Sequence, residues 1–276
     1  MSVEANIVEH YEAGALLTAI EAGVEALGKS TSNVTIDDLG PVDEFHVGGR
    51  AATSALCERL QIESDAKVLD VGCGIGGTAR LLASTIGCQV TGVDLVPGYI
   101  DVARTLTDWT GLSDQISYQV GSALDLPLED SSFDAATLLH VGMNIEAKQQ
   151  LFTEIRRVLR PDGLLGIYDV MRTGEGDLAF PVPWATEAST SFVSDIATYE
   201  AALAAAGFEI LEVRNRREFA LDFFATLKQR TAERGGPAPL GLHVIIGSAT
   251  PNKIANMVGA VAKGTVAPVE IICRVR

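Results

Sequence analysis

Four glycines in six residues, Gly72, Gly74, Gly76 and Gly77, follow an acid, Asp70, that ends the apolar run Val68 to Val71. After them Ala79, Leu82, Ala83 and Ile86 recur at helical spacing. A β-branched run, a glycine loop and an amphipathic stretch make the first half of a nucleotide-binding βαβ unit. The glycines let the backbone turn sharply and let a ligand touch the main chain, and the helix start offers free N–H groups.

The spacing Gly72-x-Gly74-x-x-Gly77 also satisfies the dinucleotide fingerprint, so the loop alone does not choose a ligand. Asp70 does more to choose. A carboxylate two residues before the first glycine repels a diphosphate and suits a ligand carrying an ammonium and a sulfonium, which describes S-adenosylmethionine. Asp94, closing the next apolar run Val90-Thr-Gly-Val-Asp94, stands where an acid accepts bonds from both ribose hydroxyls. Capping of helices and turns is the plainer use of both acids.

With these residues in place the chain resembles the class I S-adenosylmethionine-dependent methyltransferases. The resemblance rests on Val68-Leu-Asp-Val-Gly-Cys-Gly-Ile-Gly-Gly77, Val93-Asp-Leu95, Ala123-Leu-Asp-Leu-Pro127, Ser132-Phe-Asp134 and Glu154-Ile-Arg-Arg-Val-Leu-Arg-Pro-Asp-Gly163, and covers roughly residues 45–215. Asp43-Glu-Phe-His-Val-Gly-Gly-Arg50, His140-Val-Gly-Met-Asn-Ile145 and Phe180-Pro-Val-Pro-Trp-Ala185 are similar to a narrower group, the sarcosine/dimethylglycine methyltransferases and other bacterial small-molecule enzymes.

The resemblance implies a set of cofactor contacts: Asp70, Gly72, Gly74, Asp94, Leu95, Ser122, Ala123 and Leu139, with Tyr11 reaching the methionine part from an N-terminal lid. In many relatives the place of Ser122 is held by an Asp that accepts from the adenine amino group. A hydroxyl accepts such a bond without charge, so that contact is weakened here. The end of the fourth strand faces the methyl group in this class, which brings His140, Met143 and Asn144 toward the acceptor. His140 has three uses open to it: general base, acceptor-orienting donor or cofactor contact.

His46 and Arg50 flank Gly48-Gly49 at a helix start, after a turn at Pro41, and a guanidinium there suits a carboxylate. Asp169, at the end of the fifth strand, and Trp184 complete the expected acceptor wall. Methyl transfer needs little more than alignment, with the nucleophile about 3 Å from the methyl carbon. A hydroxyl acceptor profits from a base more than a neutral amine does. No metal is needed, and the four His residues show no ligand spacing.

The elements that must position these groups follow from periodicity. Strands are predicted at 67–71, 89–94, 115–120, 133–139 and 163–170, and helices at 76–86, 97–110, 146–159 and 196–206. This alternation means a doubly wound α/β sheet with helices on both faces. A strand from Phe208 to Val213 and the closing run Val269–Val275 complete seven. The resemblance supplies the order 3-2-1-4-5-7-6, Rossmann-like, with the last strand antiparallel. Residues 6–27 read as one amphipathic helix. The whole is expected as a single domain: helical cap 1–60, cofactor core 61–215, acceptor-side insertion 216–265 and closing strand 266–276.

Bulk properties narrow the partners. The 276 residues carry 36 acidic against 21 basic side chains, a net charge of −15, which argues against nucleic acid and anionic membranes. Hydrophobic residues at 47% suffice for one large core, although aromatics are only 6%. Four cysteines without a C-x-x-C spacing, no ~20-residue apolar run and an acidic start lead us to expect a cytoplasmic protein, monomer or homodimer. The expected function is methyl transfer from S-adenosylmethionine to a small molecule, leaving S-adenosylhomocysteine. An amine nitrogen of the sarcosine/dimethylglycine kind comes first, an oxygen or carbon of a quinol, phenol or secondary metabolite second. An NAD-dependent oxidoreductase and a non-catalytic binding protein stand further off.

Overall fold

The structure is a computed structural model that describes residues 13–276. Seven strands form one sheet in the order β3-β2-β1-β4-β5-β7-β6. They are β1 Lys67–Val71, β2 Gln89–Asp94, β3 Ile116–Val120, β4 Phe133–Leu139, β5 Leu159–Arg172, β6 Phe208–Asn215 and β7 Val266–Val275. β1 to β5 run parallel, and β7 lies antiparallel between β5 and β6. The apolar runs of β1 and β4 are buried on both faces, as a central parallel strand requires. β5 is longer than the predicted 163–170 because pairing begins as soon as its preceding helix ends, with a register shift between Phe133 and Ala135.

The helices are α1 Ala13–Ala26, α2 Ile36–Asp43, α3 Gly49–Leu60, α4 Gly77–Ile86, α5 Pro97–Trp109, α6 Lys148–Val158, α7 Ile196–Ala205, α8 Arg217–Arg234, α9 His243–Ile246 and α10 Thr250–Lys263. Leu16, Ile20 and Val24 of α1 are buried as their spacing predicts, but Leu27 lies past the helix end and is 40% exposed. α2 was not legible. Pro41 does not make a turn; it sits inside α2, which is started by a capping box in which Thr35 and Asp38 satisfy each other's backbone.

Two layers flank the sheet. On one face α6 and α7 bring Phe152, Ile155, Tyr199 and Leu203 onto β4, β5 and β7. On the other, Leu56 and Leu60 of α3 press on Gly166 and Tyr168 of β5, and α4 and α5 cover β1 and β2. Each such buried Leu or Ile contributes about 1.5–3 kcal/mol relative to exposure. α4 is buried all round from Gly77 to Ala83, not on one side, because α2 and α3 pack on its outer surface, and only its last turn, with Ser84 and Thr85, is exposed.

The 216–265 stretch folds as α8, a glycine- and proline-containing loop, α9 and α10. Ala220 and Phe224 of α8 and Met257 and Val261 of α10 pack with Val47, Met143 and Val170. Leu240 in the intervening loop closes against Gly23 of α1, whose missing side chain makes the room. The insertion therefore meets the N-terminal helix across the carboxyl end of the sheet.

Candidate active site

The glycine loop is held from β2. The Gly72 and Cys73 N–H groups donate to the Val93 carbonyl at 2.7 and 3.1 Å, which pulls the chain into a left-handed turn at Gly72 (φ +71°). A side chain there would strike Val141 at 2.3 Å, so only glycine fits. At Gly74 (φ +53°) the space a Cβ would take is open. Asp94 fixes this loop: its Oδ2 accepts from Gly74 N at 2.8 Å and its Oδ1 from Val96 N at 2.9 Å. Burial pushes the Asp94 carboxyl up, opposed by the N–H groups of Val96, Gly74 and Leu95. Each oxygen keeps a second lone pair for a ligand hydroxyl.

Asp70 is 2% exposed. Its Oδ1 accepts from Thr137 Oγ1 at 2.8 Å, while Oδ2 has no partner. Burial, then the neighbouring Glu44 and Asp94 carboxylates, drive its pKa up to about 7 against the Thr137 hydrogen bond. A second buried acid from the cap stands close by. Glu44 accepts from Thr53 Oγ1 at 2.7 Å through Oε2, and its Oε1 makes no hydrogen bond. Asp70 Oδ2 has no donor at all and Glu44 Oε1 has only Arg50 Nε at 3.5 Å, so this acidic pair beside an open glycine loop fits a ligand that brings an ammonium.

His140 ends β4 in the left-handed region (φ +56°), its N–H donating to the Tyr168 carbonyl at 2.7 Å. Nε2 is buried without a partner. Burial and then the neighbouring His46 hold the imidazole well below its ordinary pKa, so it is neutral. Its ring stacks on Tyr168 at 5.4 Å with planes 25° apart, and His46 stands edge-on to both, at 5.7 and 6.0 Å.

Several expected site residues are engaged elsewhere. The Arg50 guanidinium donates to Asp37 Oδ1 at 2.6 Å and the Ile36 carbonyl at 2.7 Å on α2, and its Nε stands 3.5 Å from Glu44 Oε1, so it is held by the cap's own acids at the border of the site. His46 Nε2 contacts Thr53 Oγ1 at 2.8 Å and the Gly49 carbonyl at 3.2 Å. Since the carbonyl can only accept, the proton is on Nε2 and donates within the cap. Asp169 faces away. Its Oδ2 accepts from Tyr199 Oη at 2.6 Å and Met143 N at 3.0 Å, under α7.

Sheet parity explains the last case. Asp70 pairs with Thr137, Thr137 with Gly166, and Leu139 with Tyr168, so these five share the α3 face. Asp169, one residue on, must point to the opposite face. Tyr168 is thus the β5 residue on the site side, and sequence reasoning passed over it. The remaining expected contacts lie around the edge. Met143 is buried, Asn144 donates weakly to the His140 carbonyl at 3.4 Å, and half-buried Trp184 donates to Ser191 Oγ at 3.0 Å. Ser122 Oγ accepts from Leu124 N at 3.1 Å, beside half-buried Ala123 and across the sheet end from Leu95. Tyr11 lies outside the described residues.

The cap is locked to the loop by a fully buried ion pair. Arg80 of α4 donates to Asp43 Oδ1 at 2.6 Å, and Asp43 also closes over Gly77, where a Cβ would meet its backbone at 2.7 Å. Among the described residues no group of three His, Cys, Asp or Glu could hold a metal ion, and no helix is long and apolar enough to cross a membrane.

Comparison with known proteins places this geometry. Residues 69–167 match the methyltransferase domain family. The methyltransferase GfsG of Streptomyces halstedii is 33% identical over 184 residues, 66% of either chain. The chain spans about a third of the length of several other curated relatives. Among solved structures, a Galdieria sulphuraria protein assigned as a sarcosine dimethylglycine methyltransferase superposes with a TM-score of 0.69 at 20% identity, over 84% of this chain and 93% of that one. A phosphoethanolamine N-methyltransferase of Haemonchus contortus, solved with S-adenosyl-L-methionine, gives 0.71 at 20% identity, over 100% of this chain and 60% of that one. The matched domain, the seven-strand order with its antiparallel closing strand and these likenesses together show that the chain belongs to the class I S-adenosylmethionine-dependent methyltransferases.

Proposed function

We propose that this protein transfers a methyl group from S-adenosylmethionine to an oxygen nucleophile, a phenol or related hydroxyl, on a largely apolar small molecule. When bound, S-adenosylmethionine supplies a methyl group already activated on a sulfonium. Asp70 and Glu44 would face its ammonium, the Gly72 and Gly74 backbone would line its methionine part, and Asp94 with Leu95 would take the ribose. Ser122 and Ala123 would border the adenine.

The observation that carries the oxygen reading is His140, a neutral imidazole with Nε2 buried and unpartnered at the end of β4. A hydroxyl proton becomes far more acidic as its oxygen shares a lone pair, so even a weak base can receive it in the transition state. An oxygen lone pair would make the new bond to the methyl carbon while the carbon–sulfur pair leaves with the thioether of S-adenosylhomocysteine; the proton goes to Nε2 and the O–H pair stays on the oxygen. Val47, next to His46, and Met143, three residues after His140, share an apolar cluster with Leu178, Trp184 and Phe223, which supports an apolar acceptor. A glycine derivative would lack its expected carboxylate anchor, since the Arg50 guanidinium is bound to Asp37. The nitrogen reading is favoured by one feature, the acidic Glu44 and Asp70, which would also suit a cationic amine.

Isotopically labelled methyl transfer to a mixed panel of phenols, hydroxyls and amines tests the proposal. Label is expected on oxygen, and His140→Ala should lower kcat by about 10²- to 10⁴-fold with cofactor affinity retained. Label only on amines, at a rate indifferent to His140→Ala, would refute it.

A further inference from the structure

We propose that Tyr168 is a second group in contact with the acceptor, its hydroxyl donating a hydrogen bond to the same oxygen whose proton His140 removes. This deepens the oxygen reading and rests on it.

Tyr168 is fully buried and its hydroxyl has no partner. Buried hydroxyls of native proteins nearly always find one, so an orphan in contact with a candidate site marks a place for a ligand atom. Its position is fixed by register. Tyr168 stands opposite Leu139, the last residue of β4, two positions further toward the carboxyl edge than the Asp70–Thr137–Gly166 row and on the same face. That edge is where ligands bind in open α/β sheets. The ring stacks directly on His140, the other ring carrying an orphan polar atom, and His46 backs both.

The surroundings assign the hydroxyl its role as a donor. Burial holds the phenol well above its ordinary pKa, so the proton stays on. The nearest acid, Glu270, pairs with Tyr168 across the strands, but Arg216 donates to its Oε2 at 2.7 Å, and Arg59 and Arg214 approach its Oε1 at 3.0 and 3.4 Å. Glu270 is thus saturated by guanidinium groups and takes no bond from Tyr168. His46 is committed to Gly49 and Thr53. A phenol that keeps its proton beside a neutral imidazole with an unpartnered Nε2, in its Nδ1–H tautomer, is the pair a neutral hydroxyl substrate satisfies. The substrate oxygen accepts from Tyr168 and donates to His140 Nε2.

The test is Tyr168→Phe, read in two ways that need no turnover. Deleting an unpartnered hydroxyl should leave the melting temperature of the ligand-free protein unchanged or raised. Titration with 4-nitrophenol in the presence of S-adenosylhomocysteine should show binding about tenfold weaker than wild type, with S-adenosylhomocysteine affinity unaltered. A fall of several degrees in melting temperature would show a hydroxyl bonded inside the fold and overturn the assignment. Equal 4-nitrophenol affinity in wild type and variant would overturn it while leaving the oxygen reading intact. No saturable 4-nitrophenol binding to wild type would overturn the oxygen reading and this assignment with it.

Discussion

Replacing Asp70 with Asn should make the ligand-free protein more stable while weakening its hold on the cofactor, and the effect should depend on pH in a set direction. The carboxyl is 2% exposed, bonded only by Thr137, and raised from 3.8 to about 7, chiefly by burial. A rise of about three pH units at 1.36 kcal/mol each is about 4 kcal/mol. In acid the carboxyl is neutral in both folded and unfolded chains. Between about pH 4 and pH 7 the unfolded chain ionises while the folded one keeps its proton, so folded stability falls with rising pH and then levels. Asn carries no such penalty. Urea denaturation at pH 5, 6.5 and 8 should show a gap in favour of Asp70→Asn that widens with pH, up to roughly 4 kcal/mol. Asp169, raised to about 6, titrates in the same window but is common to both proteins and cancels. Conversely, wild-type affinity for S-adenosylhomocysteine should rise from pH 6 to pH 8 as Asp70 ionises toward the ligand ammonium, and the variant should bind weakly without that slope. A variant less stable than wild type by the same amount at every pH would refute the reasoning, because it would mean that Oδ2 is satisfied within the fold.

Two further substitutions probe what holds the site in place. Arg80→Met leaves the fully buried Asp43 carboxylate without its cation and should cost about 3–5 kcal/mol in denaturant unfolding; restoring part of the loss with Asp43→Leu in the same chain would confirm that the stranded charge is the cause. Tyr199→Phe removes the 2.6 Å bond to Asp169 Oδ2 and should destabilise by about 1.5–3 kcal/mol, measured the same way, with methyl transfer and cofactor affinity less affected than by Asp70→Asn.

The parallel strands were legible because a strand buried on both faces must be an unbroken apolar run. Val68–Val71 and Phe133–Leu139 are close to such runs, interrupted by Asp70 in the first and by Asp134 and Thr137 in the second. Strand order was legible only through resemblance, since periodicity carries no information about neighbours. α2 was hidden by Pro41, a residue that reads as a turn but is outweighed by the Thr35–Asp38 capping box. The glycine loop was visible for a physical reason: left-handed backbone at Gly72, Gly74 and Gly76 leaves no other residue type comfortable there. Side-chain partners were not visible. Nothing local to Arg50 reveals that Asp37, thirteen residues back, and Glu44 partner its guanidinium, or that Thr53 and the Gly49 carbonyl accept from His46 Nε2. Asp169 reads in the sequence as a polar residue at a strand end, and alternation says only that it and Tyr168 face opposite ways. Which face carries the site needed the Asp70–Thr137–Gly166 row, a fact of register.

The distribution of unsatisfied groups ties these observations to energetics. Among the described residues eight buried side-chain polar atoms lack a hydrogen-bond partner. Three belong to the cap segment 43–50 and two to the Asp70 and Arg80 side chains under it; two more are His140 Nε2 and the Tyr168 hydroxyl, and Arg59 supplies the eighth. None falls in the layer between α6, α7 and the sheet, where Asp169, Tyr199 and Lys148 satisfy one another or the backbone. Asp43, Glu44, Arg50, Arg59 and Arg80 are in ion pairs, which leaves Asp70 Oδ2, His140 Nε2 and the Tyr168 hydroxyl as the orphans; at about 1–3 kcal/mol each, one end of the sheet holds a cost that the apolar layers beneath it must offset. Such a cost serves no structural purpose in the cofactor cradle, where Asp70 could be an apolar residue and gain stability. On the proposed reading it serves binding, since a ligand that brings an ammonium to Asp70 and a hydroxyl to His140 and Tyr168 would recover that energy on arrival. The Asp43–Arg80 pair and the close seat of Asp43 on Gly77 keep the cap and the glycine loop together as one surface, which would hold these polar atoms in place for the proposed ligand.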